Sequence, residues 1–485
     1  MTEFINRQEE LNQLNDLIQQ PGAHLIMLYG RRRIGKTTLA THWASQTGLP
    51  TFYWVGKRDP RELLLGNLAR AIYGWQHGDD ADLAIQPRDW EQAFKMLAQA
   101  VGDRRAIIIL DELPYALQQD SGLGSHLQAA WDHLFKDSQA IIILSGSHIG
   151  MLTDLIQYQA PLYGRLTAQF PLYPLRFGDI RAFLPRYDCF QRLAVYAILG
   201  GVPAYLERWR DNEPLKANVE RLFLQRTGWF RNEPQVLISD LTERETVNYE
   251  AILKAIAAGH HEREAVAAYS AVKSTALSHY LPRLFDLRFV ERRIPATTPL
   301  TELKTSRKTR YYLRDPFLRF YYRFLDPNLH LLDGGLSHRL WQMIEDNFRA
   351  FVALTFEEIC LEWTVRQAQR GKLPFAADNV GAHWSKMVQV DVVAINWRER
   401  QLLLGECKWG DAPVSRRVLT ELIEGKTAKV LADLPDGGAG WRVHYAFFAR
   451  QAFTDAAREL AGKHGAMLLT LPQMEAALGD PQPLY

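Results

Sequence analysis

Three short stretches of this chain carry residue types that perform phosphate chemistry. GRRRIGKTT, residues 30–38, fits G-x-x-x-x-G-K-[ST] in full. The glycines let the backbone of Gly30, Arg31, Arg32, Arg33, Ile34 and Gly35 curl until its N–H groups face phosphate oxygens. Lys36 then reaches the β- and γ-phosphates, the Thr37 hydroxyl ligates magnesium, and Thr38 follows in the same turn. AIIILDELP, residues 106–114, ends an apolar run with Asp111 and Glu112. The first suits a magnesium shell, and the second suits a general base on the attacking water. Much later, LLLGECKWG, residues 402–410, aims Glu406 and Lys408 along one strand face, two residues apart.

Plainer readings accompany each stretch. A glycine turn with an exposed lysine would account for the first, and an acidic helix cap for the second. A rim salt bridge would account for the third. The flanking elements weigh against the plain reading of the first two. HLIMLY is a short buried strand leading into the glycines, and a helical pattern with Leu39, Ala40 and Trp43 leads away. Asp111 and Glu112 close a strand of the fully buried, parallel-sheet kind, at the carboxyl edge where such sheets bind ligands.

AIIILSGSHIG, residues 140–150, is a similar strand with a polar exit, which places Ser145 or Ser147 beside the terminal phosphate. Arg165, in the turn PLYGR, is a candidate for meeting the phosphates in the transition state, from its own chain or from a neighbour. Surface solvation explains that arginine equally well.

With 485 residues, the chain exceeds what one hydrophobic core serves, and two to four domains are expected. The formal net charge of +2 does not by itself point to a nucleic-acid partner. Cys189, Cys360 and Cys407 are widely spaced, without the paired spacing of a zinc site or disulfide framework, which fits a reducing compartment. The opening MTEFINRQEELNQL is polar and unlike a signal peptide, and no apolar run approaches the roughly 20 residues of a membrane span. The expectation is a cytoplasmic protein with no membrane partner.

Residues 247–323 have another texture. NYEAILKAIAAG, EREAVAAYSAV and a segment from Ser274 read as three helices, the last kinked or ended by Pro282. FVERRIP and TRYYLRD read as two strands, so the group has the pattern of a winged helix-turn-helix. From 259 to 323 there are 13 Lys/Arg against 6 Asp/Glu, enough local excess to grip phosphates without reading sequence. An internal hinge role and DNA contact both remain open for it. LDPNLHLLDGGLSHR, residues 325–339, is rich in turn formers and marks a boundary.

The last third opens with a long amphipathic helix whose stripe runs through Phe348, Val352, Phe356, Ile359 and Trp363, with Glu357 and Glu358 beside it. VGAHWSKMVQVDVVAINWRERQLLLGECKWG follows as a hairpin carrying Asp391 on one strand and Glu406 and Lys408 on the other. In such a pair Asp391 and Glu406 would hold a divalent cation, Lys408 would orient the attacking water, and Glu357 would be a further ligand.

FINRQEELNQL, YGRRRIGKTTL, LDELP, SGSHIGML, PLYGR and LGGVPAYL, taken in order, resemble the archaeal-type ATPases of the AAA+/STAND group. The resemblance implies ATP and Mg2+ as cofactors and an ASCE-type P-loop sheet followed by a small helical lid. It implies that Phe4–Arg7 borders the nucleotide base and that Gly201–Pro203 joins lid to nucleotide. Asp391 with E-C-K-W resembles the carboxy-terminal domain of unknown function that accompanies these ATPases, itself related to PD-(D/E)xK nucleases. Gln389 departs from that pattern by replacing its flanking glutamate.

The expected fold is α/β multidomain: a P-loop NTPase parallel sheet (1–180), a helical lid (181–245), a winged helix-turn-helix (246–324) and a PD-(D/E)xK-like α/β domain (340–485). The expected function is an ATP-hydrolysing switch gating a nucleic-acid-directed output, DNA ahead of RNA, with oligomerisation open. A DNA-binding regulator or a signalling scaffold with an inactive nuclease-like domain is the alternative.

Overall fold

The computed structural model describes residues 4–78, 86–239, 246–306 and 308–479. The chain divides into two compact units, Met1–Pro174 with Val202–Ala204, and Leu175–Gly201 with Tyr205–Tyr485. The boundary expected at 245/246 borders residues 240–245; these residues and Arg307 of the basic loop lie outside the described residues.

In the first unit, β1 (His24–Tyr29), β2 (Thr51–Val55), β3 (Ala106–Asp111), β4 (Ala140–Gly146) and β5 (Ala168–Pro171) form a parallel sheet in the order β2-β3-β4-β1-β5. Its central strands are apolar at nearly every position because both faces are covered. Leu25, Met27, Ile108, Leu110, Ile142 and Leu144 pack on one side with Trp90, Phe94 and Leu97. Their alternates Ile26, Leu28, Ile107, Ile109, Ile141 and Ile143 pack on the other with Leu11, Leu39 and Trp43. The strand order and parallel pairing place the ends of β1, β3 and β4 side by side, with β4 between the other two.

The second unit is built on a mixed sheet of β8 (Asn379–Trp384), β9 (Gln389–Asn396), β10 (Gln401–Lys408), β11 (Arg442–Ala449) and β12 (Met467–Thr470), in the order β12-β11-β10-β9-β8. The β8–β9 and β9–β10 pairs are antiparallel, and β10–β11 and β11–β12 are parallel. A 33-residue helix, Ser337–Gln369, lies against it, with Trp363 edge-on to Phe448 at 5.9 Å. The turn-rich stretch 325–339 is spanned by two short helices, Asp326–Asn328 and Leu329–Asp333, and the start of this long one.

Helices Thr246–Ala257, Arg263–Ser270 and Leu277–Asp286 precede an antiparallel pair, β6 (Val290–Arg293) and β7 (Arg310–Leu313). The third helix does not end at Pro282. It continues for four more residues, because Leu277, Tyr280, Leu281 and Leu284 bury its apolar face and offset the one missing backbone donor. The connection after β6 runs along edge strand β8. Ala296 N donates to Ala382 O at 2.8 Å, Thr297 Oγ1 lies 2.7 Å from His383 Nδ1, and Trp384 Nε1 donates to Lys308 O at 3.2 Å. Among the described residues, no helix is long and apolar enough to cross a membrane.

Glu358, on the long helix, is an ionic junction for these parts. Arg319 Nη1 and Nη2 reach its two oxygens at 2.7 and 2.8 Å, and Arg293 Nη2, from the end of β6, reaches Oε1 at 2.9 Å. Burial opposes the charge, but Arg319 and then Arg293 outweigh it and hold the carboxyl below the usual glutamate range. A depressed carboxyl contributes stability above its unfolded-state value and loses it as pH falls through the lower folded-state value. Glu358→Gln should therefore cost about 1.5–3 kcal/mol at neutral pH by unfolding in urea, since it leaves two guanidinium groups short of a counter-charge. The gap between parent and variant should shrink below about pH 4. Equal urea midpoints at pH 7 would remove Glu358 from this role.

Candidate functional site

The turn after β1 must bring backbone, not side chains, close to its contents, and two glycines permit this. A Cβ on Gly30 would stand 2.4 Å from Leu172 O, and Gly35 has φ +89° immediately before the helix Lys36–Thr47. Ile34 is fully buried beneath the turn, and Arg31 and Lys36 are nearly so. The Lys36 ammonium is folded over its own loop, donating to Gly30 O at 2.9 Å and Arg31 O at 3.0 Å. Thr38 is exposed. Arg33 adopts φ +69°, and its carbonyl lies 3.5 Å from Ala204 N, just beyond the Gly201–Pro203 segment.

The N-terminal segment is tied to the same turn. Arg7 donates to Ile34 O at 3.2 Å and Tyr173 O at 2.6 Å, and it pairs with Glu10 at 3.0 Å. Phe4 stacks on His42 with ring centroids 4.0 Å apart.

At the adjacent strand ends, the Asp111 carboxylate gathers four donors. Thr37 Oγ1 at 2.6 Å and Tyr53 OH at 3.0 Å reach Oδ2; Ser145 Oγ and, at 3.0 Å, Glu112 N reach Oδ1. Burial, and then the Asp111 charge, push the Tyr53 phenol up, which keeps its proton available to donate. Glu112 has φ 45° and ψ 38°, a left-handed conformation rare for a side chain with a Cβ. Ser147 holds it there, donating from Oγ at 2.9 Å and from N at 3.2 Å to Oε2. The two serines of SGS thus bond the two acidic side chains, one each. A hydroxyl and a carboxylate in contact are the hard oxygen donors that Mg2+ takes, so Thr37 and Asp111 fit that ion chemically.

Arg165 makes a local, partly exposed ion pair. Asp132 grips its guanidinium at 2.9 and 2.7 Å, Tyr163 O takes a third bond at 3.2 Å, and Arg165 in turn holds the Asp132 carboxyl below its usual range. Three of its five N–H donors are thus engaged locally, two of the bonds with Asp132.

In the second unit, Asp391, Glu406, Lys408 and Glu357 do share a neighbourhood. Asp391 Oδ2 accepts from Cys407 N at 2.9 Å. Glu406, 6% exposed, takes Lys408 Nζ at 2.8 Å and both-oxygen contact with Lys426 Nζ at 2.8 and 3.0 Å. Burial, and then the Glu406 charge, raise the Asp391 carboxyl to about 6. Burial, and then Asp391, raise Glu357 to about 8. Among the described residues, however, no group of three or more His, Cys, Asp or Glu side chains is arranged to hold a metal ion. The expected set of Asp391, Glu406 and Glu357 is not preformed, because Asp391 is turned to a backbone N–H and Glu406 is drawn onto two ammonium groups.

Three participants escaped the sequence reading: Tyr53, Lys426 and the Ser145 contact to Asp111. Lys426 lies 20 residues beyond Glu406, on a helical segment that also carries Lys429, and no spacing rule separates the two.

Residues 4–209 match the family model described as an ATPase domain predominantly from Archaea. Residues 321–421 match DUF234, described as archaeal and bacterial proteins of unknown function. The uncharacterized protein MJECL04 of Methanocaldococcus jannaschii is 29% identical over 409 residues, covering 84% of this chain and 88% of that protein. The uncharacterized ATP-binding protein MJ0423 of the same organism is 56% identical over 36 residues, 7% of this chain and 61% of that protein. Among solved structures, the Walker-type ATPase PABY2304 of Pyrococcus abyssi is 20% identical with a TM-score of 0.48, covering 66% of this chain and 96% of that one. Residues 4–209 thus carry an archaeal-type ATPase domain on a five-stranded parallel sheet, and a segment shared with DUF234 lies in the mixed-sheet unit.

Proposed function

We propose that the chain binds and hydrolyses ATP at the Lys36–Asp111 site and uses the nucleotide state to gate a nucleic-acid-directed output in its carboxy-terminal part. The observation that carries the first half is the meeting of Thr37, Asp111, Ser145, Glu112 and Ser147 beside the Gly30–Lys36 turn. Backbone N–H groups and Lys36 bind the phosphates, Thr37 and Asp111 hold Mg2+, and Glu112, oriented by Ser147, takes the proton of the attacking water. The ion, when bound, neutralises charge on the phosphates. Phe4–Arg7 borders the base, and Gly201–Pro203 joins the lid to the nucleotide.

For the output we adopt four parts: the ATPase sheet (1–180), a lid (181–245), a winged helix-turn-helix (246–324) and a PD-(D/E)xK-like domain (340–485). Three helices followed by a two-stranded sheet support the third. Asp391 and Glu406–Lys408 on adjacent antiparallel strands support the fourth. Glu406 saturated by Lys408 and Lys426 favours a second reading, in which this domain recognises nucleic acid or a protein without cutting.

Lys36→Ala should abolish ATP turnover, and Glu112→Gln should retain ATP binding while turnover falls by about 100-fold or more. Full turnover in either variant would sink the assignment. For the output, Asp391→Ala should eliminate Mg2+- or Mn2+-dependent cleavage of DNA by the parent chain. Cleavage that persists unchanged removes Asp391 from the site, and a parent chain that binds DNA without cutting selects the second reading.

A further inference from the structure

Arg165 is committed to Asp132, yet the ATPase domain holds a second arginine whose setting suits charge developing on a phosphoryl group. Arg58 follows β2 in the turn before the helix Arg61–His77. That turn is fixed to the acidic pair. Gly56 N donates to Asp111 O at 2.8 Å, and a Cβ on Gly56 would stand 2.6 Å from Glu112 O. The exposed Arg58 guanidinium lies over the Tyr115 ring, 4.9 Å from its centroid. Tyr115 in turn is set by Glu112, whose carbonyl accepts from Tyr115 N at 3.1 Å.

The same ring carries a second cation. Arg32, from the phosphate-binding turn, bonds the Tyr115 hydroxyl and places its guanidinium carbon 5.8 Å from the ring centroid. Two guanidinium groups from separate segments therefore share one aromatic ring. Among the described residues, Arg58 has no hydrogen bond or carboxylate partner. Cation–π attraction contributes only about 0.5–1 kcal/mol at an exposed site, and the like charges oppose each other. An anion received between the turn and the acidic pair would offset that repulsion.

We propose that Arg58 is a catalytic residue acting in cis, its guanidinium contacting the γ-phosphate of ATP; this rests on the reading of the Lys36–Asp111 site as an ATPase. The water oxygen bonds to the γ-phosphorus and its proton passes to Glu112. The bond from that phosphorus to the β–γ bridging oxygen breaks, leaving the electron pair on ADP. Arg58 donates to the equatorial oxygens, where charge accumulates as the phosphoryl group transfers. Tyr115 holds the side chain ready, so little ordering is needed when ATP enters.

The test uses the full chain with Mg2+. Arg58→Ala should lower kcat by about 100-fold or more, while the Kd for a fluorescent ADP analogue stays within about threefold of the parent. Added guanidinium ion should restore part of the lost rate, which a merely structural role would not allow. Arg58→Lys should fall well short of the parent, because an ammonium lacks the planar fork. A kcat for Arg58→Ala within about threefold of the parent, with Lys36→Ala inactive, overturns the assignment and leaves the ATPase reading intact. Loss of ADP affinity together with kcat also overturns it, by making Arg58 a support of the turn. A parent chain without Lys36-dependent hydrolysis overturns the ATPase reading itself.

Discussion

The Asp111 carboxylate organises the first unit's ligand edge. It joins the cradle helix through Thr37, β2 through Tyr53, β4 through Ser145 and its own following peptide through Glu112 N. A carboxylate offers about four acceptor positions, and four donors from four directions leave it one orientation. That arrangement depends on the strand order. With β4 inserted between β1 and β3, a serine at its end faces the aspartate, while the turn after β1 stands one strand further away.

The second unit meets a similar electrostatic demand differently. Glu406 and Asp391 are both largely buried, and a buried carboxylate needs a counter-charge, a set of hydrogen bonds or a proton. Glu406 takes the first solution, through two lysines. Asp391 takes one backbone bond, and Glu357 is left with mostly burial and like charge, so its carboxyl keeps a proton up to about pH 8. Its neighbour Glu358 stays ionised against Arg293 and Arg319. Two identical residues, one helical step apart, are therefore held in opposite charge states by what faces them.

That contrast explains what the sequence can and cannot disclose. The glycine turn, the apolar strands and the acidic pair are visible because their physics is local: φ freedom, period-two burial and position at a strand end. The β9–β10 hairpin is visible for the same reason. Tyr53, Arg58 and Lys426 gain their settings from segments distant in the chain, and tyrosine, arginine and lysine at half-exposed positions have many ordinary explanations. Pro282 shows the opposite balance for the helix end, which lies four residues past it. Its local rule is sound, but four buried apolar side chains on the same helix outweigh one lost hydrogen bond.

The docking of the β6–β7 connection onto β8 bears on how residues 246–313 could meet nucleic acid. Edge strands expose unpaired backbone groups, and here Ala296 supplies a donor to Ala382 O, while Thr297 and Lys308 engage His383 and Trp384. Arg310 lies over the Trp384 ring at 5.1 Å. Part of the basic loop is thereby spent within its own unit, and its backbone path is fixed by a sheet edge rather than by a ligand. His383 reinforces the dock, buried at 1% exposure between Thr297 and Asp433, which lies 3.1 Å from Nε2. Phosphate contact by this loop would have to use the charges left outward, Lys304 and Lys308 among the described residues, while its far side remains a structural joint.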